Sequence, residues 1–253
     1  MAQIAFITGA SSGIGAACAR KFAASGYTLL LNARNREKLQ ALQKELQTTY
    51  GIEVILLPFD VRDRKAAEAA LQQLPTEYQS IDVLVNNAGL ALGIDKEYEG
   101  TEENYDTMIE TNITALLMMT RLVVPGMVNR GKGHIINIGS VAGDAAYPGG
   151  SVYCATKAAV KILSDGLRMD LVNTPLRVTN VKPGLVETNF SVTRFAGDKE
   201  RADKVYQGIK PVTGEDIAEV VYFAASAPEH VQIAEVLVLA THQASGSLVY
   251  RKN

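Results

Sequence analysis

A four-residue apolar run, Ile4-Ala5-Phe6-Ile7, leads straight into Thr8-Gly9-Ala10-Ser11-Ser12-Gly13-Ile14-Gly15. A helical pattern follows to Ala24 and is closed by Ser25-Gly26. Strand, glycine-rich turn and helix, in that order, are the context a nucleotide-binding loop requires. Glycines allow a tight turn and let backbone N–H groups approach a phosphate, and the helix N-terminus adds partial positive charge. The spacing is not that of a Walker loop, because Ile14 and Gly15 stand where Gly and Lys would be. Nor is it G-x-G-x-x-G. The plainer alternative is a tight βα turn with no ligand.

The same alternation continues along the chain. Short apolar runs at 28–31, 54–57, 81–85, 135–138, 177–181 and 236–239 read as strands. Helical patterns fill the intervals at 37–49, 64–74, 103–127 and 215–225, with a break expected at Pro125-Gly126. A further helix carries Tyr153 and is expected to run to Asn173, ahead of Pro175. Residues 185–204 have little periodicity and read as a mobile segment over a pocket. The pattern predicts one domain over 1–253: an α/β fold of the Rossmann type, with a doubly wound parallel sheet of about seven strands and helices on both faces.

Polar residues at strand ends mark where a ligand would lie. Ser140 follows the fifth run. Tyr153 and Lys157 are four residues apart, so a helix puts both on one face. A hydroxyl, a phenol and an ammonium brought together can polarise a substrate oxygen and move a proton. A second Tyr-x-x-x-Lys, Tyr206 to Lys210, lacks a preceding strand and meets Pro211 at once, so it reads as structural. Ala33 and Arg34 close the second strand, where a carboxylate would accept from a free ribose 2′-hydroxyl; Arg34 suits a phosphate there instead. Asp60, past the third strand, could accept from an adenine amino group or cap the following helix. Asn86-Asn87-Ala88-Gly89 is an unusually polar strand end, fit for a nearby ligand or for bracing a loop. Asn112 opposes local helix propensity inside a long helix, a misfit expected at a site.

Composition narrows the partners. The net charge of -2 gives no electrostatic case for nucleic acid or an anionic membrane. No apolar run approaches the about 20 residues that span a bilayer, and the first strand begins too near Met1 for a secretory leader, so a cytoplasmic location is expected. Cys18 and Cys154 form no metal-ligand spacing and read as packed thiols.

Taken together, Thr8-Gly9-xxx-Gly13-x-Gly15, Asn86-Asn87-Ala88-Gly89, Asn112, Ser140, Tyr153-xxx-Lys157 and Pro183-Gly184 with Thr188 resemble the short-chain dehydrogenase/reductase family over nearly the whole chain. The resemblance implies a nicotinamide cofactor and reversible alcohol–ketone chemistry. By it, Tyr153 is the acid/base, Ser140 hydrogen-bonds the substrate oxygen, Lys157 binds the nicotinamide ribose and favours the tyrosinate, and Asn112 holds a relay water. The cofactor contacts it implies are Gly9, Ser11, Ser12, Gly13, Ile14, Gly15, Arg34, Asn35, Asp60, Val61, Asn87, Ala88, Gly89, Tyr153, Lys157, Pro183, Gly184, Val186 and Thr188. The stretches 82–93, 133–140 and 194–198 further resemble the NADP-dependent 3-hydroxy acid dehydrogenases, a typically tetrameric group acting on serine and allo-threonine. Asn35 stands where some members carry a second Arg. A small acid needs a cation near Ser140 and Tyr153, and Arg194 is the candidate, with a surface or inter-subunit role as its alternative. Another carbonyl class (3-oxoacyl, sugar or diketone) and a non-catalytic dinucleotide sensor are the competing functions.

Overall fold

The computed structural model describes residues 2–252. In chain order its elements begin β1 (Ile4–Ile7), α1 (Gly13–Ala24), β2 (Thr28–Asn32), α2 (Arg36–Tyr50), β3 (Val54–Leu57), α3 (Arg64–Gln72) and β4 (Val83–Asn86). They continue α4 (Glu102–Ile109), a π turn (Glu110–Thr114), α5 (Ala115–Arg130), β5 (His134–Ile138), a 3-10 turn (Val141–Gly143), α6 (Ser151–Asp170) and β6 (Arg177–Pro183). The last are β7 (Val186–Glu187), α7 (Phe190–Arg194), α8 (Lys199–Lys204), β8 (Val212–Thr213), α9 (Gly214–Ser226) and β9 (Glu235–Val238).

Seven parallel strands form the main sheet in the order β3-β2-β1-β4-β5-β6-β9. Side-chain alternation divides its core. Ile7, Leu29, Leu31 and Val85 face α1, α2 and α9, while Phe6, Leu30, Leu84 and Ile135 face α3 and α5. Because both faces are covered, the central strands read as unbroken apolar runs. Strand order reverses between β1 and β4, so the chain leaves a crevice beyond their C-terminal ends. The Rossmann-type sheet matches the expectation from sequence.

Four local expectations are corrected. The helix around Pro125 does not break: α5 passes through it, because Pro125 lies on the exposed side, where the unpaired carbonyl one turn earlier can meet water. The departure comes instead at the π turn, Glu110–Thr114, which holds Asn112. Helix α6 ends at Asp170, since Leu171 already leaves helical geometry. Residues 102–130 are long and apolar enough by composition to span a membrane, but half of the apolar window is buried, and Met118, Met119, Val123 and Met127 pack into the core. The segment after Gly184, which shows little periodicity in sequence, contains β7, α7 and α8, and β7 and α7 line the crevice.

Candidate active site

The glycine loop is shaped by close approach. Gly9 has φ +66, and a Cβ there would lie 2.9 Å from the Ala88 Cα. A Cβ on Gly15 would overlap the Gly9 carbonyl oxygen and come within 2.5 Å of Asn87 Nδ2. Asn87 Nδ2 donates to the carbonyls of Thr8 and Gly9 at 2.9 and 3.1 Å. Thr8 Oγ1 accepts from the backbone N–H of Asn87 and Ala88, both at 3.0 Å. The polar end of β4 therefore braces the glycine loop, and it also walls the cleft.

That cleft has a volume of about 700 Å³. Gly9, Ser11, Ser12, Gly13, Ile14, Arg34, Asn35, Asp60, Val61, Asn87, Ala88, Gly89, Ser140, Tyr153, Lys157, Pro183, Gly184, Val186, Thr188 and Arg194 all line it. Two expected residues do not. Gly15 lies beneath the loop it permits. Asn112 is set behind Leu90: its Nδ2 donates to Leu90 O at 2.8 Å and Thr156 Oγ1 at 3.0 Å, and its Oδ1 accepts from Leu90 N–H at 2.9 Å. Both amide N–H groups are spent, so only a lone pair of Oδ1 is left for a water.

At one end of the cleft, Arg34 is 69% exposed and only 4.0 Å from Asp60. Asp60 is held by Arg62, whose guanidinium comes within 2.8 Å and pulls the carboxyl below its ordinary pKa. Asp60 does not cap α3; Asp63 does, accepting from Ala66 N–H at 3.0 Å. Asn35 caps α2 through Lys38 N–H at 2.8 Å. The loose guanidinium of Arg34 beside the positive end of α2 makes an anion seat.

At the other end, Ser140 leaves β5 and opens the 3-10 turn, with Oγ accepting from Ala142 N–H at 3.1 Å. Tyr153 and Lys157 are both buried on α6. Lys157 Nζ donates to Ile138 O at 2.8 Å, and burial lowers its pKa to about 8. Burial raises the Tyr153 phenol above its ordinary value; the neighbouring Ser140 hydroxyl and the Arg194 charge offset this only in part. The expected lowering joins the Lys157 ammonium to a positively charged nicotinamide; in the protein alone, desolvation dominates. Arg194, on α7, lies over the Tyr147 and Tyr153 rings, 5.4 and 5.9 Å from their centroids. Its Nε donates to Gly93 O at 3.0 Å and its Nη1 to Tyr147 Oη at 2.9 Å, while Nη2 is buried without a protein partner.

Tyr206 lines the cleft, but it and Lys210 share no helix face. Tyr206 lies in a turn with its hydroxyl on Ser191 Oγ at 2.7 Å and Val186 O at 3.0 Å, and Lys210 is exposed. The sequence reading missed Lys38, Arg62, Tyr147, Phe190 and Gln243, all of which line the cleft. Tyr147 was within reach, since it sits between Ser140 and Tyr153 just before Pro148-Gly149-Gly150. Gln243 follows the last strand without any motif.

The family model described as short chain dehydrogenase matches residues 3–199. A relative from Schizosaccharomyces pombe, an NADP-dependent 3-hydroxy acid dehydrogenase, is 47% identical over 97% of this chain and 95% of its own length. A sulfoacetaldehyde reductase from Chromohalobacter salexigens is 42% identical over 96% of each. A serine dehydrogenase solved in its closed form with NADP+ superposes with a TM-score of 0.92 at 44% identity, over 99% of this chain and 100% of that one.

Proposed function

The chain belongs to the short-chain dehydrogenase family, and from that premise we propose that it is an NADP-dependent oxidoreductase acting on a short 3-hydroxy acid such as serine or allo-threonine. The glycine loop fits a dinucleotide, because Cβ atoms on Gly9 or Gly15 would fill the space in which the loop folds. Arg34 and the N-terminus of α2 would hold a 2′-phosphate, and Ala33 offers no carboxylate to prefer a free hydroxyl. NADP, when bound, accepts the hydride from the alcohol carbon and in its oxidised form carries a positive ring. Tyr153 takes the proton from the substrate hydroxyl as its acid/base, and Ser140 holds that oxygen. Lys157 supplies a buried ammonium beside the phenol and the ribose. The side chain of Asn112 fixes Leu90, so its part in a proton relay is confined to the Oδ1 lone pair.

The observation that carries the substrate class is Arg194. A guanidinium stacked beside the catalytic phenol, with one buried Nη lacking a protein partner, suits a small anion. Arg194→Met is expected to raise KM for 3-hydroxy acids about 10- to 100-fold, the worth of a charge-assisted bond. KM for a neutral alcohol of similar size should change far less. An equal loss on both would assign Arg194 to holding the lid through Gly93. The sulfonated aldehyde named for the 42%-identical relative would use the same cation, and it is the second reading.

A cytoplasmic homotetramer is part of the proposal. Exposed apolar side chains stand on separate elements, Ile162 and Met169 on α6, Phe223 on α9 and Leu237 on β9, and would be covered in such an assembly.

A further inference from the structure

Lys182 lies on β6 immediately before Pro183, with its side chain only 6% exposed. Its Nζ donates to both carboxylate oxygens of Asp144, at 2.8 and 2.9 Å, and to Oε1 of Glu235 at 2.7 Å. Burial opposes the charge, but these hydrogen bonds outweigh it and hold the ammonium above its ordinary pKa. The two arms lead to different places. Glu235 is on β9, the sheet edge. Asp144 closes the 3-10 turn that Ser140 opens. The Lys182 stem also passes the residue before Ser140, since a Cβ on Gly139 would lie 3.3 Å from Lys182 Cγ. On its other side the turn rests on α6, where a Cβ on Gly143 would lie 2.7 Å from the Lys157 carbonyl. Lys182 thus holds the far end of the turn through its ammonium on Asp144, and its stem runs beside Gly139 at the near end.

We propose that Lys182 is a positioning residue whose two-oxygen grip on Asp144 sets Ser140 against the Tyr153 phenol. The proposal rests on the Ser140–Tyr153 reading above. A buried ion cluster is weak as a device for stability alone, because desolvation cancels most of its attraction. A geometric role accounts for its placement.

The test separates the arms by steady-state kinetics over a pH range with the wild-type protein and its variants. Asp144→Asn keeps Lys182 paired with Glu235, so it folds most readily; Lys182→Met breaks both arms. Each should lower kcat about 10- to 100-fold, the effect of a small misplacement of reacting groups, with KM for NADP+ unchanged. Lys182→Arg should restore most of the loss. Glu235→Gln weakens an equally short contact on β9, away from the turn, and should leave kcat within about twofold, as an independent site does. Tyr153 is faced by Ser140, by Tyr147 from the following loop, by Cys154 and Lys157 on its own helix and by Arg194 from α7. Lys182 is faced by Asp144, by Glu235 and, from α6, by Lys161. Ser140 lowers the phenol pKa, so a loosened turn should move the Tyr153 limb of the oxidation profile to higher pH. Removing the negative charge of Asp144 would by itself move it lower, so an alkaline shift in Asp144→Asn reports position rather than charge. In a Ser140→Ala background neither variant should cost anything more. The proposal is overturned if Asp144→Asn keeps the wild-type rate and profile, if Glu235→Gln costs as much, or if the losses add to that of Ser140→Ala. A wild-type protein that oxidises no alcohol at all removes the Ser140–Tyr153 reading, and this proposal with it.

Discussion

At the scale of single residues, the proposed acid/base Tyr153 sits in surroundings that disfavour its phenolate. Burial raises the phenol, and Ser140 and Arg194 pull it back in part. Tyr153→Phe removes only the proton-carrying oxygen. Its kcat should fall about 10²- to 10⁴-fold, the usual worth of general acid–base catalysis, while NADP+ titrates with wild-type affinity. Tyr206→Phe, whose hydroxyl only pins Ser191 and Val186, should keep kcat within a few-fold. Loss of turnover in the second variant and not the first would exchange the two tyrosines. Sequence spacing separated these pairs because Pro211 and a missing strand denied Tyr206 a helix. It could not find Lys38 or Gln243, whose relevance depends on which segment folds beside which strand end.

At the scale of elements, the glycine loop and the end of β4 are one unit. Asn87 ties the loop carbonyls, and Gly15 leaves room for the Gly9 carbonyl. Gly15→Ala should therefore cost about 1–3 kcal/mol of stability, as overpacking does, and weaken NADP+ binding with it. Gly166→Ala on α6, where nothing lies within 4 Å of the added Cβ, should be neutral or stabilising by up to about 1 kcal/mol. Thermal denaturation and cofactor titration of the pair read both effects, and equal behaviour would contradict the packing account. Strands and helices were legible because most apolar runs are closed by Gly, Pro or Asn, as at Pro58, Asn86, Gly139 and Pro183. The π turn at Asn112 was legible only as a propensity misfit. Pro125 misled because its exposure, invisible in sequence, decides whether a proline breaks a helix.

At the scale of the whole molecule, His134 ties acid stability to the sheet. It is buried in β5, and its Nε2 lies 2.8 Å from Thr179 Oγ1. That hydroxyl already donates to Ile233 O, so Nε2 donates to it, while Nδ1 has no protein partner and burial keeps the ring neutral. Burial, aided by the Arg177 charge, lowers its pKa to about 3. Unfolded His134 takes up a proton below about pH 6.5, and the folded ring does not. Stability should therefore fall by up to about 1.4 kcal/mol per pH unit as pH drops from 6.5 toward 3. His134→Gln should lack that component in denaturant unfolding across this range; an unchanged slope would place the acid sensitivity elsewhere.

The central claim is the pairing of NADP with a short 3-hydroxy acid at the Tyr153 site. Its most direct test is the rate of nicotinamide reduction by the wild-type protein with serine, allo-threonine and 3-hydroxybutyrate, each with NADP+ and NAD+, alongside uncharged alcohols and, in the reverse direction, sulfoacetaldehyde. The account predicts the highest kcat/KM for a 3-hydroxy acid with NADP+, about 10- to 100-fold above NAD+, the worth of one charge-assisted bond to a 2′-phosphate. Equal rates with both cofactors, or turnover of uncharged substrates with none of any 3-hydroxy acid, would contradict it.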